Sequence, residues 1–259
     1  MLKTLFLLCI LVLITSCRTS KGALEFTKEI KETQINESRI ELFDSTRNRK
    51  IPIIIYYPKK HVSTTNTYLV FISHGYGFNK GNPYLGYSFI AENLAKKGCY
   101  VVSIQHELQT DDLLSMEGDF KVTRKPNWEK GVQNIFFVMK NSRKIFPNLI
   151  DCKLVLIGHS NGGDMSVLFA EMFPDCVYKV ITLDHRRMPI PRVQYPTFYS
   201  LRSIDQTADE GVLLNKEEQK ELGHIIVQTT IKHNDMCNNA STKEKKFILS
   251  FIEKQLFYK

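Results

Sequence analysis

The sequence lacks any stripe of lysine and arginine interleaved with aromatic residues, although its net charge is strongly positive. It has 35 lysine and arginine residues against 27 aspartate and glutamate residues, a formal net charge of +8 over 259 residues. Because the basic residues are scattered, the charge argues against nucleic-acid binding and favours a basic surface near anionic lipid. No internal repeat or low-complexity segment is present. With 43% hydrophobic residues, we expect one globular domain with a sizeable core.

The apolar run nearest the N-terminus is too short to span a bilayer stably. It covers residues 5–14 and follows Lys3, a pattern typical of a signal peptide. Residues 14–17 read Ile-Thr-Ser-Cys, which resembles the lipobox of bacterial lipoproteins. The resemblance implies that residues 1–16 are a lipoprotein signal peptide, that Cys17 carries lipid at the cell-envelope membrane, and that residues 17–37 are a tether. The alternative is an ordinary secretory signal and a secreted or periplasmic protein.

Cysteine is scarce, with six residues in the chain. Cys9 lies in the predicted signal peptide and Cys17 is the predicted lipidation site. Cys152 and Cys176 each lie just before a predicted strand, so they could be neighbours at one edge of the sheet. An oxidising envelope would permit a disulfide, but the sequence does not fix which cysteines pair.

Strand-like and helix-like segments alternate from residue 38 to the C-terminus, so we assign residues 38–259 to one domain. Strands are predicted at 38–43, 50–57, 68–73, 100–104, 154–157, 178–183, 196–203 and 225–229, and helices at 84–97, 127–145, after 160, at 216–222 and at 242–257. This order predicts an α/β fold, with a mostly parallel sheet of about eight strands and helices on both faces. The first two strands form an antiparallel hairpin in which Ile51, Ile53, Ile55 and Tyr57 share one face.

The segment around Ser160 predicts a nucleophile on a tight turn. Residues 158–162 read Gly-His-Ser-Asn-Gly, with four apolar residues before them and a helix-like segment after them. A Gly-x-Ser-x-Gly motif in this strand–turn–helix context is typical of a nucleophile elbow, in which close approach of strand and helix requires small residues.

A serine at neutral pH needs a base within hydrogen-bond reach, and the base needs a carboxylate that orients it. In folds with this elbow the chain order is serine, acid, histidine. His233 follows the last predicted strand and is the predicted base. His224 lies at the wrong end of that strand, and His185 comes too early in the chain.

Two aspartates compete for the role of the acid. Asp205 ends the seventh predicted strand and is preferred. Asp184 ends the sixth strand and is the alternative, with Asp209 a distant third. We expect whichever aspartate is not the acid to form a salt bridge with Arg186, Arg187 or Arg202 and to have no catalytic part.

Oxyanion donors are expected from two backbone amides. These are Asn161, after the serine, and Tyr76, in the turn that follows His74 and Gly75. The loop at 105–125 and the side chains of Tyr76, Phe78 and Trp128 are candidate substrate walls, although Trp128 fits a core position better.

With these residues assembled, the chain resembles an α/β-hydrolase over about residues 38–257. Residues 49–58, 70–75 and 89–98 are similar to dienelactone-hydrolase-like and platelet-activating-factor-acetylhydrolase-like proteins. The stretch from Leu183 to Pro189 resembles the acid-bearing loop of the acetylhydrolases, which favours Asp184. The stretch from Tyr195 to Asp205 resembles the acid-bearing strand of cutinase-like esterases, which favours Asp205.

The resemblance implies a serine esterase that acts on a small-molecule ester through an acyl-enzyme, with no cofactor and no metal. Lids in this superfamily usually follow the sixth strand, and only residues 185–195 separate Asp184 from Pro196, so no lid domain is expected. Two alternatives stay open. One is a serine peptidase or acyltransferase with the same three residues, and the other is an inactive binding protein on the same scaffold.

Overall fold

A computed structural model describes residues 34–60, 67–146, 149 and 154–258. The predicted signal peptide, Cys17, residues 18–33 of the predicted tether, and Cys152 lie outside the described residues. The predictions about the leader, the lipid anchor and the tether therefore stay predictions. Within the described ranges, no helix combines the length and the apolar character needed to cross a membrane.

The described chain forms an eight-stranded sheet with the order β1-β2-β4-β3-β5-β6-β7-β8. The β1–β2 and β2–β4 pairs are antiparallel and all other pairs are parallel. The strands are β1 (Ile35–Asp44), β2 (Arg49–Pro58), β3 (Leu69–Ser73), β4 (Tyr100–Ile104), β5 (Leu154–His159), β6 (Val177–Leu183), β7 (Thr197–Arg202) and β8 (Ile225–Gln228). The predicted mostly parallel sheet with an antiparallel edge is confirmed.

The opening hairpin is longer than the sequence predicted. Its register pairs Ile35 with Pro58 and Asp44 with Arg49. Residues 35–37, which were predicted to belong to the tether, are therefore part of β1, because their backbone groups pair with the end of β2.

The central strands of the sheet are buried on both faces. Along β2, Ile51, Ile53 and Ile55 belong to one hydrophobic core, and Ile54 and Tyr56 belong to the other. Successive residues of a strand point to opposite faces, so a run of apolar residues without alternation marks a strand that is covered on both sides. The predicted shared face of the odd-numbered isoleucines is confirmed.

Helices cover each face of the sheet. They are α1 (Ser88–Lys96), α2 (Phe120–Thr123), α3 (Lys125–Ile145), α4 (Asn161–Met172), α5 (Lys216–Leu222) and α6 (Thr242–Phe257). Helices α3 and α4 supply residues such as Ile135 and Phe169 to the first core, and α1 and α6 supply residues such as Leu94 and Ile252 to the second. Ser241 begins α6 with a reciprocal capping box to Glu244.

The predicted helix at 84–97 divides into a 3₁₀ turn, Pro83–Tyr87, and α1. The hydroxyl of Ser103 donates to the carbonyl of Tyr84 at 2.6 Å. That carbonyl is one that a continuous α-helix would pair with its own backbone. The side chain from β4 thus favours a tighter first turn, which contains Tyr87.

The parallel strands end almost level, and the candidate residues follow those ends. Ser73 pairs with Gly158, His159 with Leu183, and Arg202 with Gln228. Loops at the carboxyl ends of parallel strands meet at one edge of the sheet, which is where α/β proteins bind ligands. Residues 184–196, between β6 and β7, form a short connection with no inserted lid domain. At the opposite edge, Cys176 is a free thiol, and its possible partner Cys152 lies outside the described residues.

Candidate active site

Ser160 occupies the sharp turn between β5 and α4. Its backbone angles are φ 50° and ψ −121°, a conformation that is strained for a residue with a side chain. The glycines beside it are required by close backbone contacts. A Cβ on Gly162 would lie 2.3 Å from the carbonyl oxygen of Ser73, and one on Gly158 would lie 2.4 Å from the carbonyl oxygen of Gly162. The geometry is that of the predicted elbow.

The imidazole of His233 connects Ser160 to a carboxylate. Its Nε2 lies 3.0 Å from Ser160 Oγ, and its Nδ1 lies 2.6 Å from Asp184 Oδ2. The histidine begins the short 3₁₀ turn His233–Asp235 after β8, as the sequence predicted for the base. Such an arrangement can withdraw the serine proton and stabilise the imidazolium that results.

Asp184 is completely buried and is held by β7 as well as by His233. Its Oδ1 accepts from Ser203 N at 2.9 Å and lies 2.8 Å from Arg202 Nη2, and its Oδ2 accepts from Ser203 Oγ at 2.7 Å. Burial opposes ionisation, but the bond to His233, the charge of Arg202 and the bonds from Ser203 outweigh it. Together they lower the pKa of Asp184 to about 2. The carboxylate is therefore a fixed negative charge behind the imidazole.

Asp205, the preferred acid in the sequence analysis, does not contact the imidazole ring. Its Oδ1 accepts from the backbone amide of His233 at 2.7 Å, and its side chain is exposed. The preference for Asp205 is corrected, because Asp184 occupies the position at Nδ1. Asp184 directly follows β6 with φ 56° and its carboxylate reaches the ring. The expected salt bridge of the other aspartate to Arg186, Arg187 or Arg202 is not found for Asp205 among the described residues. Arg202 pairs instead with Asp184, and Arg187 pairs with Asp209.

The two predicted oxyanion amides lie at the expected places in the fold. Asn161 is the first residue of α4, so its N–H has no partner within the helix. The amides on either side of Tyr76 are taken by side chains: Gly75 N donates to Tyr87 Oη at 3.1 Å, and Gly77 N donates to Glu107 Oε2 at 2.9 Å. This pattern fixes the turn on both sides of the Tyr76 amide.

His74, at the end of β3, serves the structure and not the serine. It is buried, its Nδ1 lies 2.7 Å from the carbonyl of Gly75, and its Nε2 accepts from His106 N at 2.9 Å. Both ring nitrogens are thus occupied within the loop, and burial lowers the pKa of His74 to about 4. The imidazole supports the backbone of the turn that carries Tyr76.

Trp128 packs in the core, as expected, but it also contacts the site. Its indole Nε1 donates to Asn161 Oδ1 at 2.9 Å, and Asn161 Nδ2 donates to Asn127 Oδ1 at 2.9 Å. Of the predicted substrate walls, Tyr76 is tied to the loop through its hydroxyl, which accepts from Leu114 N at 3.0 Å, whereas Phe78 is exposed. The N-terminal end of α3 thereby fixes the residue that follows the serine.

Ser203, Tyr87 and His159 also belong to this site, and none of them was predicted from the sequence. Ser203 follows β7, and His159 is the second residue of the elbow motif, so their positions beside the strand ends were visible signals. Tyr87 carried no such signal, because it reaches the site from the 3₁₀ turn before α1. Across the described ranges, no group of three or more histidine, cysteine, aspartate or glutamate side chains is arranged to hold a metal ion.

The chain resembles known proteins in its structure but not in its sequence. No protein-family model and no curated protein sequence matches the chain. Many solved structures do. An esterase from Thermogutta terrifontis with butyrate bound matches with a TM-score of 0.59 at 12% identity, over 89% of this chain and 96% of that one.

The chain has the α/β-hydrolase fold. Two further structures agree. An α/β serine hydrolase without a lid from Xanthomonas campestris matches with a TM-score of 0.57 at 14% identity, over 86% of this chain and 96% of that one. A dienelactone hydrolase from Anabaena variabilis matches with a TM-score of 0.53 at 16% identity, over 85% and 97%. At these identities the likeness concerns the fold, and it confirms the fold that the motifs predicted.

Proposed function

We propose that this α/β-hydrolase is a serine hydrolase that cleaves carboxylic esters through an acyl-enzyme intermediate. The observation that supports the proposal most directly is the hydrogen-bonded series from Ser160 Oγ through His233 to Asp184. A serine at a strained turn that faces a histidine backed by a buried carboxylate has the groups that nucleophilic attack on an acyl carbon needs. The esterases among the structural neighbours agree with this chemistry.

The proposed reaction proceeds in two steps. Ser160 Oγ forms a bond to the acyl carbon while His233 Nε2 takes the serine proton, and the amides of Tyr76 and Asn161 donate to the oxyanion. The bond to the alcohol breaks as His233 returns the proton to the leaving oxygen. Water then attacks the acyl-enzyme with His233 again as base, and the carboxylic acid and free Ser160 are released. Asp184 keeps its charge and orients the imidazole throughout.

A fluorophosphonate probe tests the nucleophile. We expect covalent labelling of the wild type and none of Ser160→Ala. Ser250→Ala serves as a control, because Ser250 is exposed on α6 and should leave labelling unchanged. Absence of labelling together with absence of ester hydrolysis in the wild type would contradict the proposal and favour a binding protein on a hydrolase scaffold.

The substrate class is tested with matched esters and amides. The connection after β6 is too short to hold a lid, which supports an open site and an ester with a small or medium acyl group. We expect p-nitrophenyl acetate and butyrate to be hydrolysed far faster than the corresponding anilides. Faster turnover of amides would indicate a peptidase, and transfer of the acyl group to added alcohols in preference to water would indicate an acyltransferase.

We also propose that the protein is anchored at a bacterial cell envelope through lipid on Cys17. The support is the signal-like sequence of residues 1–16 and the Ile-Thr-Ser-Cys match at residues 14–17. Expressed in a bacterial host, the wild type should sediment with membranes and incorporate radiolabelled palmitate. Cys17→Ser should lose both properties. A wild type that is released as a soluble mature protein would instead indicate an ordinary secretory signal.

A further inference from the structure

A second imidazole, that of His159, lies beside His233 and is hydrogen-bonded on both nitrogens. Its Nδ1 lies 2.7 Å from Tyr87 Oη, and its Nε2 lies 3.0 Å from the carbonyl oxygen of His233. Tyr87 Oη in turn accepts from Gly75 N at 3.1 Å. One continuous series of hydrogen bonds therefore runs from the turn after β3 to the backbone of the histidine after β8.

The chemistry of the two ends sets the direction of every bond. A carbonyl only accepts, so His159 Nε2 carries the proton and donates to His233. Burial, followed by the charge of His233, lowers the pKa of His159 to about 3, so this imidazole stays neutral and its Nδ1 is an acceptor. The hydroxyl of Tyr87 therefore donates to Nδ1 while its oxygen accepts from Gly75. Each donor in the series therefore faces an acceptor.

The series joins the two parts of the site that must agree in position. Gly75 immediately precedes Tyr76, whose amide is the proposed oxyanion donor, and His233 carries the proposed base. His159 itself immediately precedes Ser160. The backbone of Gly75 also packs closely against the His159 ring, because a Cβ on Gly75 would lie 2.9 Å from His159 Nδ1. A shift of either loop would break a bond in the series.

We propose that Tyr87 and His159 are positioning residues that hold the Tyr76 amide and the His233 imidazole in register with Ser160. The inference rests on the proposed serine-hydrolase function. Tyr87 is 5% exposed and His159 is 7% exposed, so bulk water has little access to replace a bond that is lost. Misplacement of catalytic groups by about 1 Å can cost about 100-fold in rate. Loss of a bond made by Tyr87 or His159 should therefore lower kcat.

The principal test compares two buried tyrosines. Tyr68 Oη donates to the carbonyl of Leu256 at 3.0 Å and lies before β3, at the opposite end of that strand from the site. Tyr87→Phe and Tyr68→Phe each delete one buried hydroxyl, and both should lower Tm. Only Tyr87→Phe should lower kcat, by about tenfold, with KM nearly unchanged and slower fluorophosphonate labelling. Equal kcat in the two variants would overturn the proposal.

A double-mutant cycle tests whether the two residues act as one series. His159→Leu removes both ring bonds and leaves Tyr87 only its bond from Gly75 N, so Tyr87→Phe should cost less activity in this background than in the wild type. Losses in kcat that multiply would show independent effects and would also overturn the proposal. His159→Gln, whose amide can still donate to the His233 carbonyl, should recover part of the kcat lost in His159→Leu. Because wild type and Ser160→Ala are treated with the fluorophosphonate probe in the same assay, an unreactive wild type would identify failure of the proposed function itself.

Discussion

The loops after β6 and β7 each bring an aspartate to His233, yet the two carboxylates contact different parts of it. Asp184 is fully buried, bonds to the imidazole, and is held by Arg202 and Ser203. Asp205 is exposed and bonds to the backbone amide. Both distances are within hydrogen-bond range, so proximity alone does not separate the roles. What separates them is which atom of His233 each carboxylate contacts and how completely it is shielded from water.

The substitution Asp184→Asn is the most direct test of the difference between Asp184 and Asp205. An amide cannot supply the charge that stabilises the imidazolium, and it can favour the wrong tautomer of His233. We expect kcat for ester hydrolysis to fall by about 10³–10⁴-fold. The variant should remain folded by circular dichroism. A loss of less than tenfold would return the role of the acid to another carboxylate.

Arg202→Met should have the largest effect on stability. It leaves the carboxylate of Asp184 buried without its cationic partner, which typically costs about 3–5 kcal/mol. Arg187→Met is the matched control, because Arg187 pairs with the partly exposed Asp209. A pair of that kind typically contributes no more than about 1 kcal/mol. The free energies of unfolding from urea titrations of both variants would measure the difference.

Acidification should destabilise the protein through Asp184. Its pKa is about 2 in the folded protein, below the ordinary value of 3.8, so its contribution is complete above about pH 5 and is lost as the pH falls through 3.8 toward 2. The contribution amounts to about 2 kcal/mol. Urea unfolding at several pH values should show this loss in the wild type, and the slope should be smaller in Asp184→Asn. Parallel profiles for the two proteins would contradict the assignment.

Asp205→Asn should have the smallest effect. Its side-chain oxygen can still accept from the His233 amide, so the loop keeps its position, and the imidazole is untouched. We expect kcat within about threefold of the wild type, since an exposed polar substitution that retains its bond changes little. Steady-state kinetics beside Asp184→Asn completes the comparison. A large loss in Asp205→Asn alone would reverse it.

The sequence predicted the sheet well because its evidence was local. Apolar runs such as residues 69–73 are buried on both faces, and the alternation of strands and helices implies a parallel sheet. The elbow was equally local, since its glycines lie within one turn of Ser160. The positions of Ser160 and His233 followed from motif context and chain order.

The choice of acid could not be settled in the same way. Asp184 and Asp205 both follow strands, and their difference arises from backbone angles and from contacts with residues of other loops. The hydrogen bonds of Tyr87 and His159 could not be predicted from the sequence for a related reason. Tyr87 and His159 come from distant segments, and their relation depends on the 3₁₀ turn that Ser103 favours.

The crowded glycines of the elbow bear on how far such a sequence can drift over evolution. The atoms that would meet a Cβ on Gly162 belong to the backbone of Ser73 and His74, so no exchange of neighbouring side chains can make room for alanine. At Gly86, by contrast, nothing lies within 4 Å of the added carbon. We therefore expect Gly162 to resist substitution and Gly86 to tolerate it. Homologues could therefore diverge widely in sequence and still keep the same turn at the nucleophile.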